Sequence, residues 1–383
     1  MNFDLTEEQQ MIQDQAAKFV AAESPVSRFR KLREDEIGWD KAMWAKMAEQ
    51  GWLSIAVPEE QGGFGGSFLD MAIILEQLGR GLVPEPMIAS AVLAGGILSD
   101  IGTEAQRDEF LSPMMEGSTS LAFAYAEKQS RYNLNDCATK AEKSGDGFTI
   151  SGEKVWVLNG HAADQIIVVA RTAGDQFDDS GLSLFVVDGN AAGLTRITVP
   201  QMDGQKSALL RFDGVQVGAD RLLGREGEAL SMIELAVDRG AAAAVAEGYG
   251  TAQELFERTV AYLKQREQFG VPIGTFQALQ HIAADMYAEI ELCKSANMLS
   301  AIQIDMDDVE QRKADVSSAK LQLADGGWFI SKNAIQLFGG IGVTDEQDEG
   351  LFFKRLRVLN SQFGDADYHV DRFKTQKSFD SQD

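Results

Sequence analysis

Arg266 to Met286 reads REQFGVPIGTFQALQHIAADM, and Ala334 to Gly342 reads AIQLFGGIG. The first stretch puts one arginine, a Phe-Gly turn and a run of amides at a single helix junction, and the second ends a helical pattern on paired glycines. Taken singly, an R-x-x-F-G turn reads as an ordinary helix end and a Gly-Gly pair as a C-cap. Around them the helical period runs from Leu230 to about Asn333, punctuated at Gly270-Val271-Pro272 and at Gly339-Gly340. Between about Ser120 and Arg225 the period is two. There FTISG, QIIVVAR, LSLFVVD and ALLRFDGVQV alternate or form short β-branched runs, and Gly145-Asp146-Gly147 marks a hairpin before Phe148. From Thr6 to about Leu111 the pattern is helical again, opening on Thr6-Glu7-Glu8 and broken at Gly62-Gly63 and Gly65-Gly66. The predicted organisation is therefore helix, strand, helix, with domains at 1–117, 118–227 and 228–383. Strands and helices are segregated, and no G-x-G-x-x-G follows an early strand, so a Rossmann reading is disfavoured. There is no internal repeat, and the tail after Thr375 is polar and expected to be mobile.

Composition narrows the partners. The 383 residues are ample for a large core and set a prior of two or three domains. Thirty-five Lys and Arg against 59 Asp and Glu give a net charge of −24, which argues against nucleic acid or an anionic membrane surface as partner. No apolar run approaches the ~18 residues needed to span a bilayer. MNFDLTEEQQ carries acids where a secretory segment has basic residues, so a cytoplasmic location is expected. Cys137 and Cys293 stand far apart, as do His161, His281 and His369, which argues against a disulfide framework, a metal site or a Ser-His hydrolase.

Together, in this order and near the end of a chain of this length, the two opening stretches resemble the FAD-contacting segments of the acyl-CoA dehydrogenases. The resemblance covers essentially the whole chain, with early support from GWLSIAVPEEQGGFGGS at Gly51 to Ser67. It is most similar to the small subunits of pimeloyl-CoA dehydrogenases, through LAFAYAEKQSRYNLND at Leu121 to Asp136 and FGDADYH at Phe363 to His369. The fold implied is α+β and mostly α: an N-terminal helical domain, a middle β-barrel and a C-terminal helical bundle. The cofactor implied is FAD. Arg266, Gln268 and Phe269 would reach across a subunit interface to its nucleotide, while Gln336, Gly339 and Gly340 would meet its pyrophosphate end. A pyrophosphate calls for a permanent cation with several donors, and for backbone that approaches without a Cβ in the way. The wall behind the flavin ring would come from Phe123, Tyr125, Ala126 and Tyr132, then from Trp156 and Leu158 in KVWVLNG. Many relatives carry Thr at the positions of Ala126 and Leu158. Two absent hydroxyls, each worth roughly 0.5–1.5 kcal/mol, imply a more dissociable flavin. Arg131-Tyr132 replaces the family's Gly-Ser pair, bringing a cation and a hydroxyl in its place.

The resemblance implies α,β-dehydrogenation of an acyl-CoA thioester, with the α proton taken by a carboxylate and hydride passing to flavin N5, in fatty acid β-oxidation. It also implies an electron-transfer flavoprotein or similar acceptor, and a dimer or tetramer, homomeric or heteromeric. In medium- and short-chain relatives the catalytic Glu precedes the Gly that aligns with Gly364; here that position is Phe363. Isovaleryl-type relatives place it upstream of the Arg-Phe-Gly motif, at what is here Gly240. Two nearby acids compete. Asp238 and Glu247 are about 180° apart around a helix, and Glu247 lies about 20° from the face of position 240. Glu247, within AAAAVAEGYG, is the expected base, with Asp238 as the alternative; Arg239 is expected in a surface or interface pair. The rival expectation is a non-catalytic or half-site subunit of a heteromeric dehydrogenase, whose partner supplies the base. A flavin monooxygenase relative on the same fold is a third, weaker reading.

Overall fold

The computed structural model describes residues 4–376; the tail expected to be mobile lies, from residue 377 on, outside the described residues. The first helical region holds α1 (Glu7–Glu23), α2 (Val26–Leu32), α3 (Lys41–Glu49), α4 (Phe68–Arg80), α5 (Gly96–Ile101), α6 (Glu104–Gln106) and α7 (Ser112–Met115). Thr6 caps α1, its hydroxyl accepting from the Gln9 amide while Gln9 reaches back, so the acid-rich start read from sequence is a true N-terminus. Eight strands follow: β1 (Leu121–Ala124), β2 (Lys140–Ser144), β3 (Gly147–Leu158), β4 (Gln165–Arg171), β5 (Leu182–Asp188), β6 (Leu194–Pro200), β7 (Lys206–Gly218) and β8 (Leu222–Leu223). The last region holds α8 (Leu230–Gln265), the short β9 (Glu267–Gln268) and β10 (Val271–Pro272), then α9 (Gln277–Ile304), α10 (Val309–Phe338), α11 (Glu349–Ser361) and α12 (Ala366–Lys374). No helix among the described residues is long and apolar enough to cross a membrane.

By contacts within the chain, two compact units gather. One holds the residues up to 31, 67–83 and those from 241 on; the other holds 32–66 and 84–240. In the second, the strands form one mixed sheet in the order β6-β7-β3-β2-β4-β5-β8, with β1 parallel to β4. The ladder runs open from β6 to β8, so the expected barrel appears as a sheet that does not close by hydrogen bonds. Its core is the inward row of Phe148, Ile150, Val157, Ile166, Val168, Phe185, Val187, Leu210 and Phe212, as the period of two requires. Gly145-Asp146 turns β2 into β3, with Ser144 opposite Gly147 and Gly145 at a φ of 62°. Arg171 organises the loop beyond β4 by donating to the carbonyls of Asn135, Cys137, Gln176, Asp178 and Ser180.

In the helical unit, α4 and α8 cross at backbone contact through two glycines. A Cβ on Gly79 would lie 2.1 Å from the Glu247 carbonyl, and one on Gly250 would lie 1.8 Å from that of Glu76. Around this crossing Leu255, Met286, Ile290, Leu323, Ile330, Phe352 and Leu356 close the core. The turn from α11 to α12 hangs from two buried side chains. Lys320 donates to the carbonyls of Leu359 at 2.6 Å and Gln362 at 2.8 Å, and a ring nitrogen of His369 meets the Phe363 carbonyl at 3.1 Å.

Burial, then the charges of Lys320 and Arg372, push His369 down to about 3 from 6.5. The folded value lies below the unfolded one, so its contribution to stability is present above about pH 6.5 and fades as pH falls toward 3. A ten-fold difference in proton affinity between the folded and unfolded chain is worth about 1.4 kcal/mol. Glu76, raised by burial from 4.5 to about 7, works the other way, its contribution fading as pH rises through 7. The expected result is that unfolding free energy measured from pH 6.5 to 4 falls less steeply in His369→Gln than in the parent. Parallel curves would contradict it.

Candidate functional site

The sequence-predicted residues fall into a group on the sheet unit and a group on the helical unit. On the sheet, Phe123 ends up buried in β1 with its ring stacked on Tyr125 at 5.2 Å, while Tyr125, Ala126 and Tyr132 are half-buried just beyond the strand. Trp156 and half-buried Leu158 close β3, and Trp156 is 62% exposed. Beneath them lies a buried ion pair, Lys154 to Glu127 at 2.7 Å. Burial would raise the Glu127 carboxyl, but the charge and hydrogen bond of Lys154 outweigh it and bring it down to about 2.

On the helical unit, the last turn of α8 runs into a hairpin in which Gln268 faces Val271. Phe269 and Gly270, at φ 56° and 81°, form the two-residue turn that left-handed backbone allows. Phe269 is 93% exposed. Arg266 and Gln268 are exposed too, and among the described residues Arg266 makes no ion pair. Tyr262 stacks on Phe338 at 4.1 Å, bringing the hairpin beside the end of α10, where Gln336, Gly339 and Gly340 are exposed. A Cβ added to Gly339 or Gly340 would meet nothing within 4 Å. Gly339 needs its conformation, at φ 68° and ψ −146°. Gly340 answers no packing demand of the chain itself, in contrast to Gly79 and Gly250, and suits an approach from outside. A permanent cation, an exposed amide and two glycines at one end of the bundle fit a dinucleotide pyrophosphate.

Backbone strain marks the same stretches. Among the described residues six non-glycines have left-handed backbone, and five of them, Arg131, Trp156, Asn159, Phe269 and Phe363, lie in the motifs singled out above. Such conformations cost on the order of 1–3 kcal/mol each and concentrate at functional sites.

The expected bases are placed differently. Glu247 is buried, and its Oε1 lies 2.6 Å from Nε of buried Arg355. Asp238 is fully buried and engaged, and its neighbour Arg239 pairs with Asp100. Phe363 is buried. Sequence reading overlooked Lys154, Glu127 and Arg355. A lysine inside the β3 pattern GEKVW was a usable signal for the first pair; nothing local signals Arg355, which lies 108 residues from its partner.

Three family models match in chain order: acyl-CoA dehydrogenase N-terminal domain at 6–118, middle domain at 122–215 and C-terminal domain at 226–375. The chain is 32% identical over 352 residues to the probable acyl-CoA dehydrogenase YngJ of Bacillus subtilis, covering 90% of this chain and 91% of that protein. Its fold is similar to butyryl-CoA dehydrogenase from Megasphaera elsdenii, at a TM-score of 0.90 and 26% identity, covering 97% of this chain and 98% of that one. It is likewise similar to the Tcur3481-Tcur3483 steroid ACAD, at 0.87 and 28%, covering 98% and 99%.

Proposed function

Because the chain belongs to the acyl-CoA dehydrogenase family of FAD-dependent oxidoreductases, we propose that it holds FAD across a subunit interface and takes part in α,β-dehydrogenation of an acyl-CoA thioester. The observation that carries this reading is the end of the helical unit, where Arg266, Gln268, Phe269, Gln336, Gly339 and Gly340 are all exposed and a Cβ on Gly340 would meet nothing within 4 Å. In the reading these six hold the nucleotide and pyrophosphate of a flavin bound mainly by another subunit. Phe123, Tyr125, Ala126, Tyr132, Trp156 and Leu158 form the wall against which a flavin ring lies. When bound, the flavin accepts hydride from the substrate β carbon. A dicarboxylic or bulky acyl group, suggested by the resemblance to pimeloyl-CoA dehydrogenases, an electron-transfer flavoprotein or similar acceptor, and a cytoplasmic location complete the proposal.

The α-proton acceptor has two readings. Glu247, with Asp238 behind it, is the acceptor within this chain. The ion pair with Arg355 favours the other, in which a different subunit supplies the carboxylate. Protonating Glu247 in place would break its buried ion pair with Arg355, a costly step. The purified chain, loaded with FAD and mixed without oxygen with straight, branched and dicarboxylic acyl-CoAs, should then show a perturbed visible spectrum without bleaching. Bleaching by any of them would return the acceptor to this chain, and Glu247 first.

A second test addresses the wall. Ala126→Thr with Leu158→Thr restores two hydroxyls and should slow FAD loss on dilution several-fold. An unchanged dissociation rate would mean that these side chains do not face the flavin.

A further inference from the structure

We propose that the buried Lys154–Glu127 pair is a positioning device, which locks the Tyr125–Ala126 segment to the end of β3 and so holds Trp156 outward as one flavin wall. This rests on the wall assignment above. Nζ of Lys154 donates to Glu127 Oε1 at 2.7 Å and to the Tyr125 carbonyl at 3.1 Å, and the next residue, Val155, donates its amide to the Ala126 carbonyl at 2.9 Å. Glu127 is fixed from its other side by the amides of Ala138 at 2.8 Å and Thr139 at 3.0 Å and by Gln129 at 2.7 Å. Two consecutive residues of β3 thus grip three consecutive residues of the other wall segment.

The grip falls where β3 departs from regularity. Lys154 pairs with Leu210 and Val157 with Ala208, so β3 carries one residue more than β7 across this interval. In a regular strand residue 156 would point to the same face as residue 154, into the core. The extra residue, with Trp156 at a φ of 55°, turns the indole to the outside instead. A tryptophan in left-handed backbone persists only where its surroundings over-determine it. With Lys154 drawn inward to Glu127, the irregularity must be absorbed between 154 and 157. An apolar pair of similar volume would serve stability as well or better, so the charges are explained by the geometry they impose.

The test is Lys154→Met combined with Glu127→Leu, which removes both charges and keeps the buried volume. Folding is checked by thermal melting, the FAD dissociation constant by titration, and the ring environment by visible circular dichroism of bound FAD. The expected result is a folded protein with FAD affinity reduced about ten-fold or more and an altered visible band. A folded double variant with parental affinity and band overturns the inference. Should it not fold, Glu127→Asp, which keeps both charges but draws the carboxylate back by one methylene, is measured in the same way, with the same two outcomes. Arg266→Ala separates the levels. FAD binding weakened there but parental in the double variant sinks the positioning role alone, whereas parental binding in both sinks the flavin-site reading beneath it.

Discussion

Glu247→Gln is expected to destabilise the protein by about 3–5 kcal/mol, the cost typical of removing one partner from a buried ion pair. The amide keeps the shape of the side chain and removes the charge that pairs with the buried Arg355 guanidinium. Glu247→Leu combined with Arg355→Met should recover most of that loss, because neither charge then remains in the core. A carboxylate that acted as α-proton acceptor would give the opposite signature. Stability would stay near the parent's, while flavin reduction in the assembled enzyme would slow by roughly 10²-fold or more. Denaturant melts of the three variants beside stopped-flow reduction decide between the roles, and a stable but slow Glu247→Gln would contradict the structural one.

The order of helix, strand and helix was legible because each region keeps its own period over many residues, and glycines or prolines punctuate the joints. FTISG, QIIVVAR, LSLFVVD and ALLRFDGVQV became β3, β4, β5 and β7. The joint between α9 and α10 was not legible. It falls at Asp305–Asp308 with neither Gly nor Pro, and only the Asp308 side chain, capping the Gln311 amide, betrays it. The exposed ends around Phe269 and Gly340 were readable as motifs. What sequence left hidden is long-range pairing of charges. The small-residue setting of Glu247 reads equally well as room for a substrate or as space beside another helix, and the structure puts Gly79 of α4 and Arg355 of α11 there. In the same way KVWVLNG displays Trp156 but not the bulge that turns it outward, since a bulge is a property of two strands and their register.

The claim at the centre of this account is that Arg266 carries the flavin pyrophosphate, and the equilibrium FAD affinity of Arg266→Ala tests it most directly. Arg266 is exposed and makes no ion pair among the described residues, so its loss should leave folding unchanged to within about 0.5 kcal/mol. A hydrogen-bonded contact to a charged group contributes about 1.5–3 kcal/mol, so FAD should bind roughly ten-fold or more weakly. Flavin content and subunit association should fall together if, as proposed, the arginine reaches a flavin held mainly by the neighbouring subunit. The predicted result is a folded, largely colourless protein after dialysis; a yellow Arg266→Ala protein with the parent's FAD affinity would contradict the account.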